Sequence, residues 1–158
     1  MPAEPQVTSV QAKADNIVGP VKFTLSDLSI IGKTDDGATD IIALDETFKI
    51  SVNVTFNNTP LTQLLLCLGL RIEVDFAFEG FGKKAEEVDV VDSDEDTKKD
   101  KLVYTIDEDF TPRKIGLTPG FYEVAASVKI TSSAHKDCGQ KVLALGFIKG
   151  FSFQVYEE

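Results

Sequence analysis

Several stretches of this chain alternate apolar and polar residues one for one, and that pattern restricts the fold more than any other feature. Phe48, Ile50, Val52, Val54 and Phe56 interleave with Lys49, Ser51, Asn53, Thr55 and Asn57. Leu70, Ile72, Val74, Phe76 and Phe78 interleave with Arg71, Glu73, Asp75, Ala77 and Glu79. Tyr122, Val124, Ala126, Val128 and Ile130 repeat the pattern, Leu102, Tyr104 and Ile106 do so more briefly, and Phe147, Lys149, Phe151, Phe153 and Val155 form the last stripe. Side chains of a strand point to opposite faces in turn, so a period of two marks a strand with one buried face. Phe23 to Ile31 reads as a further strand whose register slips near Asp27, as at a bulge.

Seven strands follow from these stripes: A at 22–31, B at 46–57, C at 70–79, D at 86–91, E at 101–106, F at 121–131 and G at 146–156. Asp40 to Leu44 is a weaker candidate. Strands of this length with short connections predict an all-β, antiparallel sandwich or barrel. One segment departs from the pattern. Thr59 can cap a helix, Pro60 suits its first turn, and Gly69 can end it. Between them Leu61, Leu64, Leu65 and Leu68 recur at helical spacing, with Leu66 off that stripe. A short helix between strands B and C is expected, its leucine stripe lying over the open end of the core. Residues 1–20 lack periodicity and are read as a flexible N-terminal arm, with one domain over 21–158.

Leu117-Thr118-Pro119-Gly120-Phe121-Tyr122, opening an alternating strand, resembles the turn before strand F of immunoglobulin-like and fibronectin-type modules. That resemblance implies an immunoglobulin-like antiparallel β-sandwich of about seven strands, in which the Tyr122 hydroxyl bonds back to nearby backbone. The chain has no Trp, and Cys67 and Cys138 fall outside strands B and F, so the antibody-type core is not expected. The superfold hosts many roles and implies none of them.

The formal net charge of −10 opposes nucleic acid and anionic membrane surfaces as partners. The first residues carry no basic start and no long apolar run, and the longest uninterrupted apolar run is Leu64 to Leu68, far short of the ~20 residues of a membrane helix. A cytoplasmic setting is the expectation.

Three sets of residues could carry chemistry. The first is the acidic run, with Asp92, Asp94, Asp96 and Asp100 as candidate Ca²⁺ ligands in a loop between strands D and E. The Gly and Glu of an EF-hand loop are replaced by Thr97 and Val103, so only a looser site is meant, and no other cofactor is expected. The second is His135 with Cys138, to which Cys67 could be a neighbour; a disulfide between the cysteines stays open, and so does a cysteine hydrolase, although nothing nearby would lower the thiol pKa. The third is apolar: Leu61, Leu65 and Leu66 on the helix, and Phe147 and Phe151 on strand G, whose edge could accept a partner strand. With no catalytic motif present, the expectation is a non-enzymatic binding or assembly module. It would act on a protein partner, or on a copy of itself, through loops at one end or a sheet edge.

Overall fold

The computed structural model describes residues 7–10, 14–18, 20–32, 41–81, 87–132, 134, 137 and 139–158. His135 and Cys138 lie outside them, and with them any Cys67–Cys138 pairing.

The chain is all-β. Its strands are β1 (Val7–Val10), β2 (Ala14–Val18), β3 (Phe23–Gly32), β4 (Ile41–Ala43), β5 (Phe48–Phe56), β6 (Arg71–Gly80), β7 (Glu87–Asp96), β8 (Val103–Phe110), β9 (Gly120–Thr131) and β10 (Val142–Tyr156). Helix α1 (Pro60–Leu68) joins β5 to β6, and the single turn α2 (Pro112–Ile115) follows β8. One sheet runs β8-β5-β3 and the other β7-β6-β9-β10. Strand β2 pairs with both β10 and β3, so the two sheets are continuous along that side. On the opposite side, among the described residues, β7 pairs only with β6 and β8 only with β5.

The alternating stripes form the walls of the core. Ile72, Val74, Phe76 and Phe78 of β6, and Val124, Ala126, Val128 and Ile130 of β9, are buried, while their polar neighbours face out. Phe78 spans the sheets, its ring 5.1 Å from Phe110 of β8 and 5.7 Å from Phe153 of β10. At the other end Phe56 contacts Phe23 at 6.1 Å and Tyr104 edge-on at 5.8 Å. Offset and edge-on pairs of this kind place ring edges against ring faces and add to the area they bury.

The slip near Asp27 is present. The β3–β5 register shifts between Ser26 and Ser29, and Asp27 adopts φ 54°. The extra residue lets both Leu25 and Leu28 reach the core, where an unbroken strand would send one of them out. Gly150 marks a second irregularity, within the register shift between Lys149 and Ser152. A Cβ there would lie 2.7 Å from the Leu28 side chain and 2.9 Å from the Val124 carbonyl.

Four expectations are corrected. Residues 7–10 and 14–18, read as arm, form strands; β1 pairs with β3, and the pairing of β2 supplies the order that a short segment cannot supply alone. Asp92 to Asp96 are strand, not loop, because β7 runs on to Asp96 against β6. Strand β8 begins at Val103 and continues to Phe110, beyond the 101–106 expected. The β10 edge is filled towards both ends of the strand: β2 pairs with it at Leu145 and Gly146, and β4 lies parallel to it from Gln154 to Tyr156.

Candidate functional site

Helix α1 begins and ends where the sequence places it. Thr59 Oγ1 accepts the Thr62 amide at 3.2 Å, Pro60 opens the first turn, and Gly69 takes φ 105° at the C-terminus. Its orientation is the reverse of the expected one. Leu66 is 0% exposed and Thr62 is buried, whereas Leu61, Leu64 and Leu68 are 52%, 56% and 54% exposed. Leu65 is partly buried against the core. The leucine stripe therefore faces water, and Leu66 is an anchor, not a contact residue.

Thr97 sets this orientation. Its hydroxyl donates to the Leu66 carbonyl at 3.2 Å and accepts the Leu70 amide at 2.8 Å, while its own amide donates to the Leu70 carbonyl at 2.8 Å. These bonds hold the end of the helix and the start of β6 to the turn after β7, and draw Leu66 inward. The same turn is fixed from beneath by Tyr104, whose hydroxyl accepts the Lys98 amide at 2.8 Å and donates to the Lys98 carbonyl at 3.3 Å. Ala134, between β9 and β10, approaches from the other side, its methyl 3.7 Å from where a Cβ on Gly69 would lie. The helix, the turn after β7 and Ala134 thus meet at one end, as the strand order predicts. Cys67 is exposed there, and forms no disulfide among the described residues.

The opposite end holds Tyr122. Its hydroxyl donates to the Thr118 carbonyl at 2.7 Å and accepts the Thr118 amide at 3.0 Å, closing the turn through Pro119 and Gly120. The ring stacks on Phe153 at 5.9 Å.

A second feature lies on the outer face of the β7-β6-β9-β10 sheet. Register there sets Asp92 opposite Asp75, Asp94 opposite Glu73 and Asp96 opposite Arg71. Across β6, Glu73 meets Lys129 and Asp75 meets Ser127. Glu73, Asp75, Asp92, Ser93, Asp94 and Lys129 line an open hollow of about 500 Å³. Lys129 pairs with Glu73 at 3.0 Å, and Arg71 with Asp96 at 3.0 Å. The hydrogen bond between the Asp75 and Asp92 carboxyls, partial burial, and the repulsion of the Asp92 charge push the Asp75 carboxyl up to about 6. The same rows continue to Leu145, opposite Lys129, and Phe147, opposite Ser127, both exposed. Two groups far apart in sequence, Asp92 with Asp94 and Phe147, therefore share one face. The side chain of Phe151 lies outside the described residues.

This geometry does not form the expected cation loop. Asp92, Asp94 and Asp96 point the same way along an extended strand, where alternate residues stand about 6.8 Å apart. Ca²⁺ needs its oxygens converging at about 2.3–2.6 Å. Asp96 is engaged by Arg71, and Asp100 sits beyond in the turn at φ 63°. Among the described residues no three His, Cys, Asp or Glu side chains are grouped to hold a metal ion. No described helix is long and apolar enough to cross a membrane.

No family model matches the sequence, and no curated protein does. Among solved structures the chain is similar to a beta-glucosidase from Listeria innocua, determined in complex with gluconolactone, with a TM-score of 0.48 and 10% identity. The similarity covers 86% of this chain and 16% of that one, so the chain spans a small fraction of that protein's length.

Proposed function

We propose that the chain is an immunoglobulin-like β-sandwich acting as a non-enzymatic protein-binding module, and that it docks its partner on the α1 end. The observation that carries the reading is the reversed helix. A two-turn helix that turns Leu66 in and leaves Leu61, Leu64 and Leu68 more than half exposed presents an apolar ridge to solvent. Exposed apolar patches of this kind mark interaction sites. Because Thr97 and Tyr104 fix the helix to the body of the domain, the ridge is preorganised, and little ordering entropy is lost on binding.

The immunoglobulin-like assignment is supported by the division of strands, β8-β5-β3 against β7-β6-β9-β10, and by the Tyr122 bonds to Thr118. A different protein is favoured over a second copy, since two copies each of net charge −10 repel as they approach. The non-enzymatic reading is supported by the openness of the acidic hollow. It lies open on the outer face of a sheet and encloses no water-excluded space in which a substrate would be held.

Cys67 offers the test. A photo-crosslinker attached to it in a Cys138→Ser background is expected to capture one partner, identified by mass spectrometry. The variant Leu61→Ser/Leu64→Ser/Leu68→Ser is expected to lose that crosslink while keeping its β-sheet circular dichroism. Equal capture by a folded triple variant would refute the docking surface. Sedimentation velocity showing a stable homodimer that the triple variant dissolves would replace the partner with a second copy.

A further inference from the structure

The outer edge of the β7-β6-β9-β10 sheet is built with like charges facing each other. Two consecutive outward-facing pairs on β7 and β6 are acid against acid: Asp92 with Asp75 and Asp94 with Glu73. Like charges directly opposite one another weaken strand pairing. The counter-charges are few. Lys129 on β9 is engaged by Glu73, and Arg71 on β6 holds Asp96 at the far end of β7. Around Asp75 the facing groups are Asp92 and Asp94 from β7, Glu73 on its own strand, and Lys129 and the uncharged Ser127 from β9. Asp89 stands opposite Ala77 in the register, next along β7. Among the described residues β7 has no strand on its other side. Among the described residues, β6 alone therefore holds it against this repulsion by strand pairing.

We propose that β7 is an edge strand whose grip on β6 is set by a proton shared between Asp75 and Asp92: it is held firmly in mild acid and loosens toward neutral pH. With the proton in place, one carboxyl donates to the other and the pair is an attractive cross-strand contact. When the proton leaves, the same two groups become a second repulsive pair beside Asp94 and Glu73. The sign follows from the direction of the shift. A carboxyl raised from 3.8 to about 6 in the folded chain contributes stability that is full below about 3.8 and is lost as pH rises through about 6. Loosening of β7 around Asp92 would uncover the β6 edge, while the end of β7 is tied to α1 through Thr97; exchange over 87–96 and the crosslink at Cys67 read the device and the docking surface separately.

Amide hydrogen exchange tests it, read on peptides covering 87–96 at pH 5 and pH 7.5 with exchange times scaled for the intrinsic pH dependence. Protection of β7 is expected to fall by about two- to fivefold between pH 5 and 7.5, the size of one lost cross-strand pair, while β9 and β10 stay constant. Asp75→Asn is expected to hold β7 at its acid-like protection at both pH values, and Asp92→Asn to do the same by removing the other partner. Protection of β7 that does not change with pH in the native chain would overturn the proposal. So would a pH dependence that persists in either folded variant.

Discussion

At the Tyr122 end the segment after β8 turns its apolar residues inward, Pro112 and Leu117 being buried and Ile115 packed on the core, although Phe81 and Phe121 nearby are exposed, while at the α1 end three leucines of a longer helix face water. Both ends are crossed by a proline-initiated helical segment that ends in a glycine with positive φ. Local helix chemistry is therefore much the same at the two ends, and the difference lies in what each segment is tied to. The corner is closed by Tyr122 onto Thr118 and by stacking on Phe153. The helix is held by the Leu66 carbonyl and by the buried Leu66 side chain, which leaves its wider apolar stripe unused inside the domain. The short turn at the corner shows that this chain can bury the apolar residues of a connection. Apolar side chains are exposed at both ends, and what sets the α1 end apart is that three of them, Leu61, Leu64 and Leu68, lie together on one helix.

The comparison can be broken most severely at the corner. Phe78→Ala removes the ring that joins Phe110 to Phe153, and urea unfolding is expected to show a loss of about 3–5 kcal/mol. Thr97→Val comes next. It deletes the hydroxyl that serves the Leu70 amide and the Leu66 carbonyl in a buried place, and a loss of about 1–3 kcal/mol is expected, with raised hydrogen exchange confined to α1 and the start of β6. A corner that loses protection equally would mean the two ends are not independent. Tyr122→Phe keeps the ring and removes only the hydroxyl bonds, so a loss of about 1 kcal/mol is expected in the same measurement. The smallest change belongs to the leucine ridge: each of Leu61→Ser, Leu64→Ser and Leu68→Ser is expected to stay within about 0.5 kcal/mol of the native stability, since their side chains already face solvent.

Much of the fold is written in local pattern. The stripes of β5, β6 and β9 need only the period of two, and the slip at Asp27 is visible because Leu25 and Leu28 are three apart. The caps at Thr59 and Gly69 follow from their own chemistry. The orientation of α1 is not local. Its leucines occupy more than one face, so the helical period does not choose between them, and Thr97, some thirty residues on, decides through its bonds to Leu66 and Leu70. The acidic run misleads for a related reason. Four acids among the five residues from Asp92 to Asp96 suggest a solvated loop, but an edge strand facing water tolerates them, and Arg71 on β6 receives the last. The pairing of Asp75 with Asp92 depends on register between strands joined by a connection outside the described residues, and no property of either residue in sequence announces it.

The position of β10 has a consequence for synthesis. It pairs with β9, with β2 and, in parallel, with β4, and it is the last of these strands to be made. Until it leaves the ribosome, three earlier segments wait with unfilled backbone groups, and the parallel partner Ile41 must be found across more than two thirds of the chain by Gln154. Pairings so distant in sequence form slowly, and translation delivers only about 5–20 residues each second. The nascent chain therefore passes through an interval in which its apolar strands are complete but unclosed, and during that interval their apolar faces are exposed.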